Sequence, residues 1–313
     1  MLRKSGLSIS GVAVAVGVNV EKQLVATRKS MFSPRDILRW LIASHCIFAS
    51  VCPASIAFAQ DAPTAAQMSV ATASEEALPD DPKPQIPVTE RGLPLAILKD
   101  QIPIWTSPVR VRTHDLIWLL PLGAATGVAL VTDTDVMRNV SHDPTFNKDS
   151  VNASNILLSG QIAIPVGLYG VGLVKGDAHA RETGILSAEA LVDSIVVEEV
   201  AKIIFRRERP LHNDAAGDFF APNVGANGSF PSSHSMLAWT LAGVIAGEYP
   251  SKRAQLGVYS IASGVSLARV LGQEHFPSDV LVGATTGWLI GHFIFEKHQV
   301  RHAAHVLRAE VGR

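Results

Sequence analysis

Six apolar segments, separated by charged or Pro/Gly-rich connections, constrain the fold of this 313-residue chain more than any other feature. None of them alternates apolar and polar residues for long, as a half-buried strand would. Each is therefore predicted to be a helix, and a hydrophobic content of 47% is enough for a substantial core. We expect an all-α domain built on a six-helix core bundle. The segments are 116–132, 155–174, 185–205, 235–247, 254–268 and 280–295.

Residues 1–59 have the pattern of an N-terminal extension followed by a signal peptide. After Met31, two arginines precede an apolar run at 41–58, and Ala-Phe-Ala at 57–59 is the small-x-small pattern that a signal peptidase recognises. We expect cleavage after this site. An uncleaved anchor helix of similar length is the alternative.

Composition divides the rest of the chain. Residues 60–94 are rich in Ala, Pro, Asp, Glu, Thr and Gln with almost no large apolar side chain, which predicts a disordered linker. A helical domain at 95–297 and a C-terminal tail at 298–313 follow. Both cysteines, Cys46 and Cys52, fall in the predicted signal peptide, so we expect no disulfide and no Cys-based chemistry in the domain.

Charge and segment length give opposing indications of location. The net charge of -1 provides no basic field, so no nucleic-acid partner is expected. A spanning helix needs about 20 apolar residues, and only 155–174 is comfortably long, while Glu189 and Asp193 interrupt the next segment. Lysines and arginines nevertheless cluster at one set of helix ends, as in a membrane protein. We expect an exported, periplasmic domain, with membrane association and a periplasm-facing site left open.

The first charged motif, AKIIFRRERP, contains Lys202, Arg209 and Pro210 at the end of the third segment. Seven residues are about two helical turns, so both cations are expected on one helical face, with Pro210 ending the helix. A compact lysine charge and a bidentate arginine suit a phosphate dianion. Taken alone, basic residues that complement a helix dipole are the better explanation.

The second motif, SFPSSH, immediately precedes the fourth segment. Ser232 or Ser233 is expected to cap the helix, whose free N–H groups then offer an anion site, with His234 at the same helix start. An ordinary cap beside a surface histidine is the alternative.

The third motif, ARVLGQEHFPSD, joins the fifth and sixth segments. It places Arg269, His275 and Asp279 in succession, and Pro277 suits the first turn of a helix. We expect Asp279 to hold the His275 imidazole by a hydrogen bond that fixes its tautomer and orientation. Either residue alone would be ordinary in a polar interhelix turn.

All three motifs lie either at the end of an odd-numbered segment or at the start of an even-numbered one. In an up-and-down bundle, the end of the third helix, the start of the fourth, the end of the fifth and the start of the sixth share one face. Three cations, two imidazoles, a carboxylate and a helix N-terminus are therefore predicted to converge there.

These motifs resemble K-x6-RP, PSGH and SR-x5-H-x3-D of the type-2 phosphatidic acid phosphatase and haloperoxidase superfamily, over residues 110–297. The resemblance implies a bundle of the acid phosphatase and vanadium haloperoxidase type. Two positions depart from the pattern. Ser233 stands where the family has glycine, which costs strain if that backbone needs a positive φ, and Ala268 stands where the family has serine, which removes a supporting hydrogen bond.

The resemblance implies a phosphoric ester hydrolase that works through a phosphohistidine. His275, held by Asp279, would attack phosphorus, and His234 would protonate the departing alcohol and then activate water. No metal or other cofactor is required. The groups that would neutralise the phosphate oxygens are Lys202, Arg209, Ser232, Ser233 and Arg269.

Several alternatives stay open at this point. The substrate is a phosphate monoester, a lipid phosphate or a pyrophosphate. A vanadium-dependent haloperoxidase would use the same oxyanion-binding residues, although the connections between the motifs are shorter than we expect in such an enzyme. An inactive protein that only binds phosphate or lipid is a further alternative, but it would not need every charged group that is present. A metal face formed by His298, His302 and His305 is less favoured than a solvated tail. Asp133 and Asp135 resemble a calcium loop only in part, since its glycine and distal glutamate are lacking.

Overall fold

The structure, a computed structural model, describes residues 90–311, with side chains described as far as residue 299. This part of the chain contains α-helices and short 3-10 turns but no strand. All six predicted segments lie in helices, so the prediction of an all-α domain with a six-helix core is confirmed. The predicted signal peptide and nearly all of the linker lie outside the described residues. The helices are α1 (Leu93–Thr106), α2 (Leu116–Asn139), α3 (Pro144–Lys175), α4 (Ala178–Phe205), α5 (Ser233–Glu248), α6 (Lys252–Leu271) and α7 (Pro277–Val311).

Helix α1 is an addition to the six predicted helices, and it packs along α4. Its Gln101 amide donates to Asp193 Oδ1 at 2.7 Å. Lys297 of α7 bonds both Asp100 of α1 and Glu189 of α4, the latter at 2.8 Å. Asp193 and Glu189 of α4 are therefore buried against an amide and an ammonium group, as buried carboxylates require.

Helix α5 lies at the centre of the bundle, where it contacts α3, α4, α6 and α7. It runs parallel to α7, and glycines of α7 lie against its backbone. A Cβ added at Gly287 would lie 2.1 Å from Met236 O, and one added at Gly291 would lie 2.2 Å from Thr240 O. The absence of side chains at these two positions lets the helices approach closely and brings their N-termini side by side.

Helices α2 and α3 are the two described helices that are long and apolar enough to cross a membrane, by length and composition. The stretches Thr113–Asn139 and Pro144–Lys175 have 27 and 32 residues, and only 6% and 22% of their most apolar windows are buried. Exposed apolar surface of this extent is typical of a membrane or partner contact.

Helix α7 continues past the boundary that we predicted at residue 297. His298 was expected in a solvated tail, but the residue is only 8% exposed and its Nε2 lies 3.6 Å from Glu182 of α4. That expectation is wrong for His298 because α7 still packs against the start of α4 at this residue. His302 and His305 lie where no side chain is described. Among the described residues, no group of three or more His, Cys, Asp or Glu is arranged to hold a metal ion.

Candidate active site

The three motifs meet at one end of the bundle, as predicted from the parity of the helix ends. The backbone N–H of Ser232 at the start of α5 donates to the Asp279 carbonyl at the start of α7, at 3.0 Å. The positive charges contributed by the first and third motifs lower the pKa values of both His234 and His275. The residues brought together are Lys202, Arg209, Ser232, Ser233, His234, Arg269, His275 and Asp279.

Lys202 is held in a clamp that involves the non-family residue Ser233. Its Nζ lies 2.6 Å from Ser233 Oγ and 2.6 Å from Glu198 Oε1, and the Ser233 hydroxyl in turn donates to Glu198. Ser233 opens α5 and is not among the residues with positive φ, so its replacement of glycine brings no backbone strain. Glu198 was missed by the sequence reasoning, although its position one helical turn before Lys202 is a signal that could have found it.

The two serines do not cap α5 as we expected. Ser232 occupies the N-cap position, but its side chain makes no capping hydrogen bond. The Ser233 hydroxyl is engaged by Lys202 and Glu198 instead. The first N–H groups of α5 therefore have no serine acceptor, and the Ser232 hydroxyl is available for another partner.

Arg209 reaches the site through a turn and not along a helical face, which corrects our prediction. Helix α4 ends at Phe205, because Arg206 adopts a left-handed conformation (φ 41°, ψ 49°) and its N–H closes the helix on the Lys202 carbonyl at 2.9 Å. Pro210 lies beyond this turn and does not end the helix. The Arg209 guanidinium bonds the Glu274 carboxylate.

Arg269 is 5% exposed, and its guanidinium is only partly satisfied. Nη1 donates to Ser154 Oγ of α3 at 3.3 Å, and Nη2 donates to Glu274 Oε2 at 3.3 Å. Among the described residues, the buried Arg269 Nε and the buried Ser232 hydroxyl have no hydrogen-bond partner. Buried polar groups are rarely left unpaired, so a free donor on Arg269 itself and a second on Ser232, close to the other two cations, indicate an anion site.

The tautomer of His275 follows from its main partner. Its Nδ1 lies 2.7 Å from the Ser229 carbonyl, which can only accept, so Nδ1 carries the proton and Nε2 carries the lone pair. We predicted that Asp279 would make this bond, but its Oδ2 is 3.8 Å from Nδ1. That carboxylate instead accepts from the Phe276 N–H at 2.9 Å and from Arg207 at 2.6 Å.

Burial and the cations keep both imidazoles neutral at neutral pH. Burial, followed by the charges of Arg269 and Arg209, lowers the pKa of His275 well below its usual value. Burial, with Arg269 as the next cause, lowers the pKa of His234 to about 4. His234 Nε2 lies 2.8 Å from the side-chain oxygen of Asn155 in α3, a second contact that the sequence reasoning missed.

Arg207 forms a buried network behind His275 that the sequence reasoning also missed. Its guanidinium donates to Asp133 of α2 at 2.7 Å and to Asp279 at 2.6 Å. Burial raises the pKa of Asp279 to about 6, and the Arg207 charge opposes that rise. Two aromatic rings enclose the guanidinium, Phe219 at 4.6 Å and Phe276 at 4.0 Å from its central carbon.

Parts of this chain are similar to known proteins. A 72-residue stretch is 36% identical to a lipid A 1-phosphatase of Porphyromonas gingivalis, a match that covers 22% of this chain and 16% of that protein. The crystal structure of a transmembrane PAP2-type phosphatidylglycerolphosphate phosphatase from Bacillus subtilis is 19% identical, with a TM-score of 0.35 over 67% of this chain and 97% of that one. Residues 183–303 match the PAP2 superfamily. This stretch, less than half of the chain, contains all eight predicted site residues and is similar to that superfamily.

Proposed function

We propose that this protein is a phosphoric ester hydrolase that transfers a phosphoryl group from its substrate to His275 and then to water. The observation that carries the proposal is the state of His275. Its proton is fixed on Nδ1 by the Ser229 carbonyl, so its basic Nε2 is available beside three cations, one of which has an unpaired donor, and the unpaired Ser232 hydroxyl. A neutral imidazole with a free lone pair is the form that attacks phosphorus.

In the first step, Nε2 of His275 would form a bond to phosphorus while the bond from phosphorus to the leaving alcohol oxygen breaks. The negative charge of the bound phosphate would offset the cations that lower the pKa of His234, so His234 would take up a proton as substrate binds and then give that proton to the leaving oxygen. In the second step, His234 would take a proton from water as the water oxygen attacks phosphorus and the phosphorus–nitrogen bond breaks. The phosphohistidine carries positive charge on the ring, and Asp279, 3.8 Å from Nδ1, would stabilise it.

The phosphate oxygens would bind to Lys202, Arg209, Arg269 and the Ser232 hydroxyl. Charge-assisted hydrogen bonds from fixed donors account for most of the barrier lowering in phosphoryl transfer. Ser233 would act through Lys202, because its hydroxyl accepts from the ammonium group at 2.6 Å.

The substrate class that we favour is a lipid phosphate monoester. Two features support it: the lipid A 1-phosphatase named above acts on a lipid phosphate by its name, and the exposed apolar surfaces of α2 and α3 suit a bilayer. We further propose export by the signal peptide that starts at Met31, and a site that faces the periplasm. A soluble phosphate ester would not need the apolar surfaces.

Trapping the covalent intermediate tests the mechanism. Substrate labelled in its phosphate should leave acid-labile label on the wild-type protein after rapid quenching, and His275→Ala should lose both the label and hydrolysis. The exposed His212 offers a matched control, and His212→Ala should retain both the label and hydrolysis. Label or turnover that survives in His275→Ala would exclude His275 as the nucleophile.

Parallel assays separate the substrate classes. Phosphatidic acid, phosphatidylglycerol phosphate, undecaprenyl pyrophosphate and p-nitrophenyl phosphate should be compared on protein recovered from membrane and periplasmic fractions. We expect activity in the membrane fraction and the highest kcat/KM on a lipid monoester. Halogenation with vanadate, peroxide and bromide, without ester hydrolysis, would instead identify a haloperoxidase.

A further inference from the structure

One carboxylate already occupies the two arginines of the proposed phosphate site. Glu274 Oε2 accepts from Arg209 Nη1 and from Arg269 Nη2, the latter at 3.3 Å. These arginines come from different motifs, and a single carboxylate oxygen bridges them. Glu274 directly precedes His275 in the chain, so the bridge lies next to the nucleophile.

A carboxylate oxygen and a phosphate oxygen are equivalent acceptors for a guanidinium group. A phosphate that binds both arginines must therefore take the hydrogen bonds that Glu274 now receives. Two anions close together also repel each other, so simultaneous binding is unfavourable. When the phosphate binds, the carboxylate must therefore leave the arginines, or it must share them with the phosphate at a cost in binding free energy.

Exposure shows which partner is free to move. The Arg269 side chain is 6% exposed and is also bonded to Ser154, whereas the Glu274 side chain is 24% exposed. Glu198, the carboxylate beside Lys202, differs because its side chain is 5% exposed and is fixed by both Lys202 and Ser233. Glu274 is therefore the carboxylate that can turn toward solvent.

We propose that Glu274 is an internal counter-ion that competes with the substrate phosphate, and with the product phosphate, for Arg209 and Arg269. This inference rests on the proposed function, since it assigns the two arginines to a phosphate. The carboxylate leaves the arginines as the phosphoryl group enters and returns as phosphate departs. Its consequence is weaker retention of the product, which favours release.

The test is binding of inorganic phosphate, measured by calorimetry and as product inhibition. Loss of the competing charge in Glu274→Gln should lower both Kd and the inhibition constant about tenfold, the factor expected for one charge-assisted contact. Glu274→Ala should change them in the same direction. The control Glu199→Gln removes an equal charge from the exposed surface of α4 and should leave both constants unchanged.

Damage to the fold weakens phosphate binding, so tighter binding by the Glu274 variants cannot result from misfolding. If the wild-type protein binds phosphate and Arg269→Ala abolishes that binding, but neither Glu274 variant binds more tightly, the counter-ion inference is wrong and the proposed site stands. If the wild-type protein does not bind phosphate, or binds it equally well after Arg269→Ala, the assignment of the arginines fails and this inference fails with it.

Discussion

Arg207 and Arg209 lie two residues apart in one loop and carry the same charge, yet their environments are opposite. The Arg207 side chain is 3% exposed and is bonded to two carboxylates, the Ser278 hydroxyl and the Gly217 carbonyl. The Arg209 side chain is 31% exposed, and its charge is shared with one carboxylate that is itself partly exposed.

The difference indicates what each arginine can do. All three guanidinium nitrogens of Arg207 already donate within the protein and the group is buried, so Arg207 is a positioning residue. It joins α2 to α7 and holds the Asp279 carboxylate beside His275. Arg209 has capacity left for an anion, which is the requirement for a binding residue. The following predictions are designed to separate these two roles.

The largest effect is expected from Arg207→Ala. It leaves Asp133 and Asp279 buried without their cation, and breaking a buried pair in this way costs about 3–5 kcal/mol of unfolding free energy. Denaturant unfolding should show this loss. Arg207→Lys keeps the charge but cannot reach all the partners, so we expect a smaller loss of stability and a lower kcat with little change in KM. Equal unfolding free energies for Arg207→Ala and Arg209→Ala would contradict the comparison.

Arg209→Ala should show the reverse pattern. Its side chain is partly exposed, so we expect a change in unfolding free energy of less than about 1 kcal/mol. The loss of one preorganised donor should reduce kcat/KM about 10²–10³-fold. Steady-state kinetics on the preferred substrate and thermal unfolding of the same preparation measure both quantities. If Arg209→Ala unfolds at a lower temperature than the wild-type protein but retains its kcat/KM, Arg209 has a structural role and does not bind the substrate.

Most of the residues that the structure brings together at the candidate site could be predicted from sequence, because the prediction depends on residue types at fixed spacing. Lys202, His234 and Arg269 lie at helix ends that the apolar pattern already located, and the parity of those ends brought them together. The partners of these residues were harder to predict. The acceptor for His275 is the backbone carbonyl of Ser229, and a backbone carbonyl is present at every residue, so the sequence contains no signal for it.

Two other features depend on distant contacts or local backbone conformation. Arg207 pairs with Asp133, 74 residues away, and a single sequence gives no indication of that pair. The left-handed turn at Arg206 uses a residue with no special preference for that conformation. Helix α1 contains Pro103 and the buried Asp100, which mask its helical pattern, and its place in the fold depends on contacts with α4 and α7.

The smallest predicted effect concerns proton uptake when the anion site is filled. In the empty site, burial and then the charges led by Arg269 hold the pKa of His234 at about 4. A bound oxyanion offsets those charges but not the burial, so the pKa of His234 rises toward its ordinary value near 6.5. Between about pH 4 and 6.5 the occupied protein then holds more protons than the empty one, and the affinity for the anion increases as the pH falls through this window.

Calorimetry of phosphate binding at pH 5.5, in two buffers with different ionisation enthalpies, measures this uptake directly. His234→Asn removes the titrating group, and the difference between the two proteins also cancels the protonation of phosphate itself. We expect the wild-type protein to take up a fraction of a proton more than the variant. The same measurement on Arg207→Lys should give the wild-type value, because Arg207 is not among the groups that lower the pKa of His234. Equal uptake by the wild-type protein and His234→Asn would mean that the anion does not act on His234, and that the cations of the proposed site bind it elsewhere.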